Sequence, residues 1–174
     1  MFVSDRGTLL GKSLFHNPES EAASLLDMHR FANAPQAGDR APDVLLSNGR
    51  TLFELFCQTT SHVLLLFDGT SLTNVGYDNL IEIAKVVRKQ WLNQIKVYGV
   101  VLAPTAPRPE TEPGSVLLDP EKHLHMRYGA IAECLYLIRP DGYIGFRSQP
   151  ADREVLLNYL NSIFSVHQML EEAA

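Results

Sequence analysis

Residues 134–147 read CLYLIRPDGYIGFR, two apolar runs hinged on Pro140-Asp141-Gly142. An Asp-Gly pair supplies the positive backbone φ that a tight hairpin turn requires, and Leu135, Leu137, Tyr143 and Phe146 carry the aliphatic and aromatic content of half-buried strands. The segment that follows sets Val155, Leu156, Tyr159, Leu160 and Ile163 on one side of a helix. A β-hairpin packed by a terminal helix therefore closes the chain, and the function has to be sought on a small α/β scaffold.

Working upstream, HVLLLF at residues 62–67 is a continuous apolar run bounded by Asp68-Gly69. That is the pattern of a central strand covered on both faces in a parallel sheet. Between Tyr77 and Leu92, Leu80, Ala84, Val87 and Trp91 recur at helical spacing with Ile83 alongside, and Lys85, Arg88 and Lys89 cluster toward the end where cations suit the helix dipole. Ile95 to Leu102 is the next strand. The 16 residues from Ala103 to Leu118 carry four prolines and read as a stiff, exposed connection. Asp119-Pro120-Glu121 then predicts a helix start, with the carboxylate capping, Pro120 in the first turn and a stop at Gly129 after Tyr128.

At the front, Val44-Leu45-Leu46 reads as a strand, Ser47 to Arg50 as a turn, and Thr51 to Phe56 as a short strand followed by a helical turn. Met1 to Ala37 reads as an arm or linker, with a short helix opened by Asn17-Pro18-Glu19 and closed at Asn33-Ala34-Pro35-Gln36. The expected organisation is an arm at 1–37, one domain at 38–166 and a tail at 167–174. The order β-α-β-α-β-α-β-β-α, with early crossover helices and a late antiparallel hairpin, is that of a mixed sheet flanked by helices, the thioredoxin-like α/β architecture.

A chain of 174 residues is long enough to bury a core without disulfides or metals. Its 45% hydrophobic and 20% charged content is that of an ordinary globular protein, and a net charge of -5 argues against nucleic acid or an anionic membrane as partner. Asp5 and Arg6 interrupt the N-terminus before a signal-type apolar run develops, and no stretch approaches 18 apolar residues, so a cytoplasmic location is expected. Cys57 and Cys134, with 76 residues between them, form neither a CxxC pair nor a zinc-ligand pattern and read as two buried or semi-buried thiols; a disulfide would require the fold to juxtapose them.

In a thioredoxin-like architecture the chemistry sits in the loop leaving the first central strand, where a helix N-terminus lowers a cysteine pKa. Here that loop runs from Asp68 to Gly76 and contains no cysteine; none occurs between Gln58 and Glu133. The position where a cis-proline would face the loop falls at Glu133 or Cys134, and proline is absent there too. Losing both features favours a retired redox fold. No catalytic, cofactor-binding or metal residue is assigned; the former redox corner is Asp68, Thr70, Ser71 and Glu133, whose convergence near a helix N-terminus would suit a cysteine-independent module binding an anion or small molecule.

Other constellations read more simply as structure. Gly7 to Ser13 ends like a phosphate loop, but its first glycine is one residue too close and no apolar strand precedes it. His123 and His125, two apart on a helix, point roughly 200° from each other and read as a solvent-facing pair rather than metal ligands. Ser71 has no GxSxG elbow around it and suits a turn or cap, and Trp91 with its helix-mates suits the core.

The blocks GDRAPDVLLSNGRTLFELF, HVLLLFDG, LLDPEKHLHMRYGA and LYLIRPDGYIGFRS, taken in order over about Gly38 to Phe164, resemble the C-terminal thioredoxin-like domain of FAD-dependent aromatic hydroxylases of the phenol hydroxylase class. The resemblance implies a redox-silent accessory domain with a structural or association role. It also implies partners in the flavin and substrate domains of a hydroxylase, in cis or in trans, with a homodimer as a further partner. FAD and NAD(P)H are implied for that hydroxylase and not for this chain. No GxGxxG opens a βαβ unit here, and Gly38-Asp39 precedes a strand in a loop, so neither supplies a flavin motif. The chain is then either the last part of a larger hydroxylase or a free-standing relative. Its association surface is expected on the exposed face of the terminal helix, the connection 103–118 or the N-terminal arm.

Overall fold

In the computed structural model, residues 29–70, 74–102 and 115–171 are described. The readings on Gly7 to Ser13, on the helix opening at Asn17, on Ser71 and on the four prolines of the connection lie outside them.

The elements are α1 (Leu52–Phe56), β1 (His62–Phe67), α2 (Asn74–Trp91), β2 (Ile95–Val101), β3 (Val116–Leu118), α3 (His123–Arg127), β4 (Cys134–Ile138), β5 (Ile144–Ser148) and α4 (Arg153–Glu171). One five-stranded sheet has the order β3-β2-β1-β4-β5. The β1 and β2 strands are parallel, as are β2 and β3, whereas β4 runs antiparallel to both β1 and β5. The sheet is mixed, and HVLLLF lies at its centre.

Side chains alternate across a strand, so each face of β1 and β4 needs its own cover. Val63, Leu65, Phe67, Tyr136 and Ile138 pack with Leu52, Phe56, Leu124 and Tyr128 on one face. Leu64, Leu66, Leu135 and Leu137 pack on the other, under Leu80, Ile83, Ala84, Val87 and Trp91 of α2 and Leu156 and Leu160 of α4. Each fully buried aliphatic or aromatic side chain contributes about 1.5–3 kcal/mol of transfer free energy, which is why residues 63–67 are apolar at every position.

The hairpin turn forms as the Asp-Gly signal predicts. Gly142 has φ +82 and donates to Arg139 O at 2.9 Å, and Arg139 N–H donates to Tyr143 O at 2.8 Å. Its first strand is fully buried rather than half-buried, because β4 is an interior strand.

Four expectations need correction. Val116–Leu118, read as the end of the proline-rich connection, is the edge strand β3, paired with Gly99 to Val101. Val44 to Leu46 adds no strand to the sheet; Leu45 makes an isolated bridge with Thr51, whose side chain caps α1 in a reciprocal box with Glu54. The helix after Asp119 starts at His123 rather than Pro120, with Lys122 at the N-cap in a left-handed conformation (φ 61). On α4, Val155 is exposed, since Leu156 and Leu160, one turn apart, set the buried stripe.

Residues 29–37 lie on the domain. The ring of Phe31 meets Tyr136 edge-on at 5.7 Å, and the Arg147 guanidinium covers Phe31 at 4.2 Å while donating to its carbonyl at 2.7 Å. Gly129, with φ +62, ends α3 and leaves no room for a side chain, since a Cβ there would stand 2.7 Å from that of Ala34. The α4 helix continues through Glu171, so residues 167–171 of the segment read as a tail are helical. No helix among the described residues is long and apolar enough to cross a membrane.

Candidate functional site

The loop leaving β1 begins Asp68-Gly69-Thr70, and the backbone entering β4 closes down on it. Gly69 has φ +78, and a Cβ there would lie 2.7 Å from Ile131 O, 2.9 Å from Ala132 C and 3.0 Å from Glu133 N. Thr70 donates to Ile131 O from its N–H at 2.7 Å and from its hydroxyl at 3.3 Å. Residues 131–133 thus occupy the place expected for the segment facing the loop. The cis X-Pro bond among the described residues is Gln149–Pro150, after β5.

The Asp68 side chain turns inward. Its Oδ1 lies 3.0 Å from His125 Nε2, and His125 Nδ1 lies 2.8 Å from Asp119 Oδ2, which also accepts from the His125 backbone N–H at 2.9 Å. His125 is fully buried, and Asp68 and Asp119 are each 5% exposed. The ring is held edge-on against Phe67 at 5.3 Å, and Phe67 in turn packs against Tyr128 and Tyr136. A carboxylate–imidazole–carboxylate cluster therefore joins the end of β1 to both ends of the 119–125 segment.

Burial alone would lower the His125 pKa, but its hydrogen bonds to Asp119 and Asp68 and the charges of the two carboxylates outweigh that and hold it above the ordinary value. For Asp119 burial acts upward; the hydrogen bonds from the His125 ring and from the backbone of His125 and Leu124, with the imidazolium charge, outweigh it and hold the carboxyl below its ordinary value. With both ring nitrogens protonated, each carboxylate receives a charge-assisted hydrogen bond. The ring is then imidazolium.

Of the four corner residues, Asp68 belongs to this buried cluster and Thr70 is engaged with Ile131. Glu133 stands at the start of β4, and burial raises its pKa against a hydrogen bond with Asn79. Asp68 Oδ2 and Glu133 Oε2 are buried without a hydrogen-bond partner among the described residues. Ser71 lies outside those residues.

His125 and Asp119 were not read as site residues. The histidine pair does diverge, but His123 alone is solvent-facing, at 59% side-chain exposure; His125 is enclosed. The available signal was His125 standing beside Leu124 and three before Tyr128, on the apolar side of LHMRYGA. Among the described residues, no group of three or more His, Cys, Asp or Glu side chains is disposed to hold a metal ion.

Neither cysteine is in a disulfide. Cys134 is buried in β4, where burial pushes its thiol far up, and Cys57, at the C-terminal end of α1, is exposed rather than semi-buried. Cys57 is expected to react with a thiol reagent within minutes in the native protein, and Cys134 only after unfolding. Two equivalents titrated before denaturant is added would contradict the burial of Cys134.

No protein-family model and no curated protein matches the sequence. Solved structures do. A protein described as thiol:disulfide interchange protein DsbE from Chlorobium tepidum superposes with a TM-score of 0.54 at 21% identity, covering 74% of this chain and 98% of that one. The thiol peroxidase of Chromobacterium violaceum superposes with a TM-score of 0.52 at 12% identity, over 75% and 88%. The fold is thioredoxin-like. A third structure, aklavinone-11 hydroxylase with FAD and aklavinone, gives 0.47 at 25% identity over 70% of this chain and 20% of the hydroxylase. The thioredoxin-like scaffold of the present chain carries, where the loop leaves its central strand, a buried histidine between two carboxylates, and Cys134, opposite Phe67 in the register, is buried within the sheet.

Proposed function

We propose that this chain is a redox-inactive thioredoxin-like accessory domain, of the kind appended to FAD-dependent aromatic-ring monooxygenases, whose work is structural support and association. The observation that carries the reading is a corner whose loop has no cysteine, closed by the 131–133 backbone and internally tied by Asp68, His125 and Asp119, with Cys134, opposite Phe67, buried in the sheet. Disulfide exchange needs a thiolate with access to its substrate. The Cys134 thiol is buried with a raised pKa, and Cys57 belongs to α1 rather than to the loop before α2.

The ordered resemblance of the GDRAPD, LLLFDG, MRYGA and RPDGYIGFR blocks supports the hydroxylase link. In this reading FAD and NAD(P)H are bound by a partner or a preceding domain, and this chain contributes contact surface.

Two measurements test it. Insulin-disulfide reduction and dithiothreitol-dependent peroxide consumption are expected at the rate of the uncatalysed control; a wild-type rate clearly above that of a Cys57→Ser/Cys134→Ala protein would overturn the redox-inactive half. Affinity capture from the source cells is expected to retain an FAD-containing hydroxylase, identified by flavin fluorescence and peptide mass. Retention of no flavoprotein would overturn the association half.

A further inference from the structure

We propose that the groove between residues 29–42 and the α3–β4 connection is a docking site for an acidic polypeptide segment. This deepens the association half of the reading above by naming the surface and the chemistry of what it takes. The groove is open, about 1300 Å³ in volume, and is lined by Arg30, Arg40 and Arg127 with His29 beside them. All three arginines are exposed, and none forms an ion pair among the described residues.

Three of the chain's 15 lysines and arginines thus line one groove, in a protein of net charge -5. Exposed and without ion-pair partners among the described residues, their like charges favour an anionic occupant, and each guanidinium fork matches a carboxylate. The carboxylate at the groove, Asp39, accepts from the Gln36 backbone N–H at 2.7 Å. Arg40 is steadied by lying over the Phe53 ring at 4.8 Å, so its charge is presented at reduced entropic cost.

The occupant is a peptide rather than a small anion because the groove exceeds the roughly 300–1,000 Å³ of ordinary small-ligand pockets and is not enclosed. Met126, 69% exposed on its wall, gives an apolar side chain of the occupant something to pack against. Nucleic acid is the disfavoured alternative, since the overall negative charge repels a long polyanion.

The test titrates a twelve-residue Glu-rich peptide into the isotopically labelled full chain at low salt, followed by amide NMR shifts and calorimetry. Shifts confined to residues 29–42 and 126–131 are expected, with affinity weakened at least tenfold in Arg30→Glu/Arg127→Glu. A charge-matched Lys89→Glu/Lys96→Glu control should stay within twofold, and circular dichroism establishes that both variants are folded. Shifts centred elsewhere, no binding, equal weakening of the control, or a single-stranded oligonucleotide binding as tightly as the peptide would each overturn the proposal. The arms separate it from the earlier reading: peptide binding without flavoprotein capture removes the hydroxylase partner and leaves the groove, whereas capture that survives the double arginine reversal does the opposite.

Discussion

Replacing His125 with glutamine is expected to destabilise the protein by about 3–5 kcal/mol, because removing one member of a buried ionic cluster leaves its partners charged and uncompensated. Asp68 and Asp119 are both enclosed and both address the same ring, so the substitution strands two carboxylates at once. With a urea m-value of about 1–3 kcal/mol/M, the unfolding midpoint falls by roughly 2 M. Adding Asp68→Asn to His125→Gln should recover part of the loss, since the amide is neutral and can accept or donate; a double variant no better than the single would contradict the charge argument.

The same cluster predicts a pH window. The folded pKa of His125 lies above its ordinary 6.5, so its contribution is complete below that value and fades as pH rises through the folded pKa. The folded pKa of Asp119 lies below its ordinary 3.8, so its contribution is complete above that value and is lost as pH falls through the folded pKa. The stability gap between wild type and His125→Gln should therefore be widest at mildly acidic pH and should narrow toward both extremes. A gap that widens as pH rises from about 5 toward 6.5 would mean that the folded protein holds the ring neutral, and a gap that does not change would mean that folding leaves its pKa unshifted.

Gly69→Ala is the second large effect. An L-residue in the left-handed region costs about 1–2 kcal/mol, and here the new methyl would also meet three backbone atoms of residues 131–133 at 3.0 Å or less, which no rotamer can relieve. The expected total is about 3 kcal/mol. The readout is chemical denaturation, together with loss of hydrogen-exchange protection at Thr70, whose N–H is held by Ile131. A cost under about 1 kcal/mol with Thr70 still protected would show that the two loops separate without penalty.

What could be read from the chain beforehand follows a physical division. The β1 run, the α2 stripe and the Asp-Gly hairpin declare themselves locally, because apolar periodicity and turn chemistry need only a few neighbouring residues. Three-residue β3 does not: Val116 to Leu118 are strand because β2 offers them an edge, and nothing within the segment says so. The helix after Asp119 was legible in kind and misplaced in start, since Asp119 reaches forward to the His125 N–H rather than capping at Pro120. That shift is what concealed the cluster. His125 was assigned to solvent from its spacing to His123, whereas its burial depends on Asp68, 57 positions away in the chain. Of the corner itself, the absence of cysteine from the loop could be read from the chain, whereas the facing residue is expected at Glu133 or Cys134 and the contact with Gly69 begins at Ile131, and the inward turn of Asp68 left no local sign.

Among the described residues, β1 and β4 are insulated by hydrocarbon above and below, so neither strand presents side chains to a ligand or a partner. The groove proposed above lies accordingly at the rim, where loops and short strands meet solvent. Substitutions around that rim can then change its charge and shape while the insulated interior, and with it the fold, stays fixed.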